Sequence, residues 1–119
     1  MKTTSDDQFP DIRDVVRALC AQFPDEYHRK IDEARGYPEE FVQALTQAGW
    51  MAALIPQEYG GSGLSMAEAS VIMEEINRCG GNSGACHGQM YVMNAIVRSG
   101  SEAQKQQYLP QIASGELRI

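Results

Sequence analysis

No apolar run in this sequence approaches the length needed to cross a bilayer. Its opening residues, MKTTSDDQFP, are polar and acidic and lack the apolar core of a signal peptide. Both absences point to a cytoplasmic protein, or to an organelle matrix after processing. Basic charge is scarce too. Ten Lys and Arg face sixteen Asp and Glu, a formal net charge of −6. Arg29-Lys30 is the only adjacent basic pair, and acidic residues surround it. Nucleic-acid affinity rests largely on cations that neutralise phosphates, so this balance argues against a polyanion partner. Cysteine is limited to Cys20, Cys79 and Cys86. An odd, small number fits a reducing compartment, and the spacing with His87 matches no zinc pattern. These residues are expected to be buried or half-buried thiols.

Strand patterns are missing as well, apart from a final ELRI that could begin one. What remains reads as helix. Ile12, Val15, Val16, Leu19 and Phe23 form one apolar stripe, with Asp11 as the expected cap. Pro24-Asp25 separates it from a mostly charged helix, DEYHRKIDEA, in which His28 is expected to be exposed. Pro38 stands at the first turn of a helix carrying Phe41, Leu45 and Ala48, and Gly49 stops it. Ser65 and Glu68 form a capping box, and so do Ser101 and Gln104. The first opens a helix with Ala69, Ile72, Met73 and Ile76, ended by Gly80-Gly81. A helix beginning near Asn82 or Ser83 runs to Ser99, apolar almost all round, a pattern expected of a helix buried on every side. Pro110 is expected to break or kink the last helix. The fold class is therefore all-α, a small bundle of five to six helices. Residues 1–8 read as a flexible tail and 9–119 as one helical domain.

Chemistry is sparse. The stretch LIPQEYGGSGLS is rich in glycine, but no lysine follows Gly63 and no sheet precedes the turn. It fails both the P-loop and the dinucleotide fingerprint and reads as a hard corner. Cys86 and His87 are adjacent, so they do not face one another on a helix. The carboxylate pairs Asp6-Asp7, Glu39-Glu40 and Glu74-Glu75 read as solvated or helix-dipole residues rather than acid–base catalysts. Ser83, His87 and Tyr91 lie at i, i+4 and i+8, with Gly84 and Gly88 flanking His87. Glycine costs about 1 kcal/mol against alanine inside a helix. Two of them beside a histidine mark either close helix packing or a ligand cleft.

Two longer stretches carry a resemblance. YPEEFVQALTQAGWMAALIPQEYGGSGLSMAEASVIMEEI and GQMYVMNAIVRSGSEAQKQQYLPQIASGE closely resemble the N-terminal helical domain of acyl-CoA dehydrogenases. Gly100, Ser101, Gln104, Lys105, Tyr108, Leu109, Pro110, Gly115 and Glu116 fit a segment typical of that family. The resemblance covers about residues 9 to 119. It implies an FAD-dependent enzyme that also has a middle β-domain and a C-terminal helical bundle, absent from this chain. It further implies an acyl-CoA thioester as substrate, an electron-transfer flavoprotein as acceptor and a homo-oligomer, usually a tetramer. No catalytic, cofactor-binding or metal residue is carried over. The helix from Ser83 to Ser99 would line the acyl-chain cavity, with Ser83, Gly84, His87, Gly88 and Tyr91 as substrate-binding wall positions. A histidine at that floor weighs against a purely long, straight alkyl pocket. The chain alone is expected to be inactive and to self-associate through the helix's uncovered side. A free-standing helical interaction module is one alternative, and the same domain of an acyl-CoA oxidase or flavin monooxygenase is another.

Overall fold

The computed structural model describes residues 8–81 and 83–118. Six α-helices and two short 3-10 turns make up the described chain, with no strand among its residues. The helices are α1 (Pro10–Cys20), α2 (Asp25–Glu33), α3 (Glu39–Gln47), α4 (Met66–Arg78), α5 (Ser83–Ser99) and α6 (Glu102–Ser114). The 3-10 turns, Trp50–Ala52 and Gln57–Tyr59, lie between α3 and α4. Residues 1–7, Asn82 and Ile119 lie outside the description, and with them Asp6-Asp7, most of the expected tail and one proposed start of α5.

Both capping boxes form. Ser65 Oγ accepts from Glu68 N at 3.2 Å while Ser65 N donates to the Glu68 carboxylate at 2.9 Å. Ser101 and Gln104 repeat the arrangement at 3.2 and 2.9 Å. Each box satisfies donors that the first helical turn leaves open. At α1 the backbone does the capping instead. Phe9 takes a left-handed conformation, Pro10 fills the first helical position, and Asp11 makes no cap bond. Proline suits that place because its missing N–H would have no partner there.

The main core joins Val16 and Cys20 of α1, Phe41, Val42 and Leu45 of α3, Met51, Ala53 and Leu54, Ala69, Ile72 and Ile76 of α4, and Cys86 and Met90 of α5. A smaller cluster gathers Ala52, Ile55, Met93, Leu109 and Ile112 where α5 meets α6. The apolar run 51–55 is buried throughout and links the two. Several expectations shift at this level. Val15 and Ala48 face solvent, whereas Arg13 and Thr46 are buried. His28 is half-buried, its ring edge-on to Tyr27 and Phe41. Pro110 does not break α6, which runs unbroken to Ser114. Residues 116–118 form no strand; Arg118 reaches the Glu39 carboxylate at 3.0 Å.

The molecule measures 45 × 42 × 18 Å along its principal axes. Packed helices lie about 8–10 Å apart, so the short dimension holds about two layers. No helix in such a slab can be covered on every side. This corrects the reading of α5. It buries Cys86, Gln89, Met90 and Met93, and leaves Gly84, His87, Val92 and Ala95 exposed.

Candidate functional site

The five residues that the resemblance marks, Ser83, Gly84, His87, Gly88 and Tyr91, all lie on α5, Gly84 and His87 exposed and the other three half-buried. Ser83 opens the helix half-buried, its hydroxyl 3.4 Å from Asn77 Oδ1. Gly84, the next residue, and His87, one turn further on, are exposed. The His87 and Tyr91 rings meet edge to face, centroids 4.8 Å apart. Tyr91 also packs on the main core, so it braces the imidazole from the protein side. A Cβ added at Gly88 would meet nothing within 4 Å. Close packing within this chain therefore does not explain Gly88, and open space stands in front of it.

The face extends further than the sequence pattern alone marked it. Val92 is 55% exposed and Ala95 is exposed. Beyond them a cleft of about 250 Å³ is lined by Ala95, Ile96, Ser99, Gly100, Gln104 and Tyr108 at the α5–α6 junction. The outward surface thus grades from polar donors near Ser83 to apolar groups near Tyr108. The all-round apolar composition of α5 contained this signal, but not which side would stay uncovered.

The glycine corner has no free cradle. Gly60 N donates to Gln57, Gly61 N to Pro56, Ser62 N to Ala52, Gly63 N to Ile55 and Leu64 N to Ala53. Every amide from Gly60 to Leu64 is therefore engaged on the chain's own carbonyls, and none is left for a phosphate. Gly60 and Gly63 adopt left-handed conformations. A Cβ on Gly61 would overlap the Ile55 carbonyl. Only glycine fits that approach.

A larger cleft, about 580 Å³, opens between α2 and the Gly80 turn. His28, Asp25, Asp32, Arg29 and Arg35 line it, so two aspartates offset two arginines. The described residues gather no group of three or more potential metal ligands. The glycine corner does not fit FAD, because its amides are all engaged and offer no cradle to a phosphate. No helix of the described chain is long and apolar enough to cross a membrane.

One carboxylate departs from its expected place. Glu75 is 1% exposed and not on a solvated face. It accepts from Arg13 Nη1 at 2.7 Å and from Arg17 Nε at 3.0 Å. Arg13 also reaches Glu74 at 3.1 Å, and Arg78 holds Glu74 at 3.2 Å. Burial by itself would raise the Glu75 pKa, but the hydrogen bonds from Arg17 and Arg13 outweigh it and hold the carboxyl below its ordinary value of 4.5. A carboxyl held ionised by paired cations joins helices and is unsuited to proton transfer.

The family model described as Acyl-CoA dehydrogenase, N-terminal domain, matches residues 6–116. This chain belongs to the acyl-CoA dehydrogenase family. Among relatives of this N-terminal domain is mitochondrial isovaleryl-CoA dehydrogenase of Pongo abelii, 37% identical over 85% of this chain and 26% of that protein. The Solanum tuberosum counterpart is 33% identical over 91% and 28%. (2S)-methylsuccinyl-CoA dehydrogenase of Cereibacter sphaeroides is 35% identical over 87% and 20%. The chain thus spans about a quarter of the length of these isovaleryl-CoA dehydrogenases. In three dimensions it resembles a chain from structural work on the electron transferring flavoprotein of Acidaminococcus fermentans and flavin-based electron bifurcation. The TM-score is 0.72 at 25% identity, covering 99% of this chain and 31% of that one.

Proposed function

We propose that this domain serves an FAD-dependent acyl-CoA dehydrogenase by supplying one wall of its acyl-binding cavity, and that alone it is inactive. Ser83, Gly84, His87, Gly88 and Tyr91 form that wall. The observation that carries this reading is the open side of α5, where Gly88 has nothing in front of it and His87 is braced by Tyr91. A wall of this kind works by shape. The glycines let an acyl group approach the helix backbone, and the His87–Tyr91 pair limits its depth and offers polar edges. Specificity of this sort is worth about 1–3 kcal/mol per methylene accommodated or refused. The base, the flavin and the CoA-binding surface belong to other parts of a longer enzyme, so no chemical step is assigned to residues of this domain. Electron transfer to a flavoprotein acceptor and a homo-oligomeric assembly accompany the proposal. Support comes from family membership and from relatives about four times as long.

The test is expression of the open reading frame that contains this sequence, followed by a flavin spectrum and an acyl-CoA panel. Bound flavin should bleach with at least one acyl-CoA. Gly88→Ile and His87→Phe should each change the ratio of kcat/KM between short and long acyl groups by about tenfold or more. A protein without flavin, or a preference indifferent to both substitutions, would refute the proposal.

A further inference from the structure

The larger of the two clefts holds charge that the fold leaves unused. One side of α2 lines it: Asp25, His28, Arg29 and Asp32 fall at i, i+3, i+4 and i+7, and Arg35 follows the helix end. Arg29 stands one turn from Asp25 and one turn from Asp32, spacings at which opposite charges pair readily on a helix. Glu26 and Lys30 of the same helix do pair, at 3.2 Å. Yet among the described residues the side chains of Asp25, Arg29, Asp32 and Arg35 have no ion-pair or hydrogen-bond partner. His28 shares that state: its Nε2 is shielded from solvent and has no hydrogen-bond partner among them.

The backbone marks Arg35 as well. α2 closes with Arg35 N donating to Asp32 O at 3.0 Å and Gly36 N to Ile31 O at 2.9 Å, a motif whose turning residue is left-handed. Here that residue is Arg35, with φ +53°. Glycine takes this conformation without strain, and an arginine does not. Gly36, the next residue, has no such φ. The strained position thus falls to a cation that makes no bond within the described chain.

The geometry points to a binding site for a small zwitterion, an α-amino acid being the simplest, with its carboxylate on Arg29 and Arg35 and its ammonium on Asp25 and Asp32. The balance of charge selects this class. A simple anion would also meet the two aspartates, and a simple cation the two arginines. A molecule with both signs satisfies both sets, and between an aspartate and an arginine it completes the pair that α2 leaves open. Ile31 and Pro38, which also line the cleft, offer contact to an apolar side chain. A volume of about 580 Å³ lies within the range of small-molecule sites. None of the five α5 residues of the acyl wall lines this cleft, so the two sites are separate.

The experiment titrates the full chain with L-alanine and follows the imidazole proton signals by NMR, with propionate and ethylammonium as single-charge controls. The chain has two histidines, His28 and His87, and His28→Gln assigns their signals. L-Alanine should move the His28 signal to saturation and leave that of His87 in place. Each control should need about tenfold more ligand, or more, for the same shift. Arg29→Gln and Asp32→Asn should each weaken L-alanine binding by about tenfold or more. Arg35→Gly removes the cation and relieves the left-handed strain, so it should weaken binding and raise the melting temperature together. A His28 signal that never saturates, or that answers propionate as readily as L-alanine, overturns the inference. So does an Arg35→Gly chain that binds L-alanine unchanged or melts lower. The three probes on the unmutated chain decide the matter if a variant fails to fold.

Discussion

At the α1–α4 interface a carboxylate and a guanidinium lie buried against each other. On the outward side of α5 a histidine and a tyrosine stand with open space beside them. Both regions place polar groups on helices that also feed the core. The interface is closed: Glu75 and Arg13 are 1% and 3% exposed, and each ion has a partner at hydrogen-bonding distance. The α5 side is open, with Val92 55% exposed and His87 in solvent. Within this domain, buried polarity holds the scaffold together, and the polarity on the open side of α5 has no such role in it. Burying a charge is tolerable only when its partner comes too. An uncovered apolar residue such as Val92 costs little by itself.

The contrast can be broken from either side. The largest effect is expected for Glu75→Ala, which removes the buried carboxylate that Arg13 and Arg17 share, leaves Arg13 with Glu74 and the Gln8 carbonyl, and should cost about 3 kcal/mol in urea unfolding. The same carboxylate predicts an acid limb. Its folded pKa lies below its ordinary value of 4.5, so its contribution is complete above that value and is lost as pH falls through the folded pKa. Glu75→Gln should flatten the fall in stability in that acid range; an unchanged acid limb would place its origin elsewhere. Next comes Met90→Ala on the buried side of α5, where the residue is 0% exposed. Cavity formation should lower stability by about 2–3 kcal/mol, again read by denaturant midpoint. Smallest is Val92→Asp on the same helix, expected to stay within about 0.5 kcal/mol of the unmutated chain. A large loss there would show that the open side of α5 is covered, for example by a second copy of the chain.

Much of the scaffold was legible because its signals are local. Ser65 with Glu68 and Ser101 with Gln104 are reciprocal bonds within four residues, so sequence spacing suffices to find them. Gly49 and Gly115 stop helices in the left-handed conformation that glycine adopts freely. The grouping of Ser83, His87 and Tyr91 needed only helical periodicity. Misreadings fall where partners are distant in the chain. Glu75 looked solvated because its cations lie some sixty positions away, at Arg13 and Arg17. His28 looked exposed among charged neighbours until Phe41 of the next helix met its ring. Asp11 looked like a cap until Phe9 turned left-handed and took that place.

The sequence by itself determined an all-helical chain, its caps and corners, and its membership of the acyl-CoA dehydrogenase family, since each rests on residue types at short, fixed spacings. Only the tertiary structure decided which side of α5 stays open and which carboxylate is buried. The physical reason is the 18 Å thickness of the molecule. A slab about two helices deep must leave one side of each helix uncovered, and which side that is depends on contacts between segments far apart in the chain.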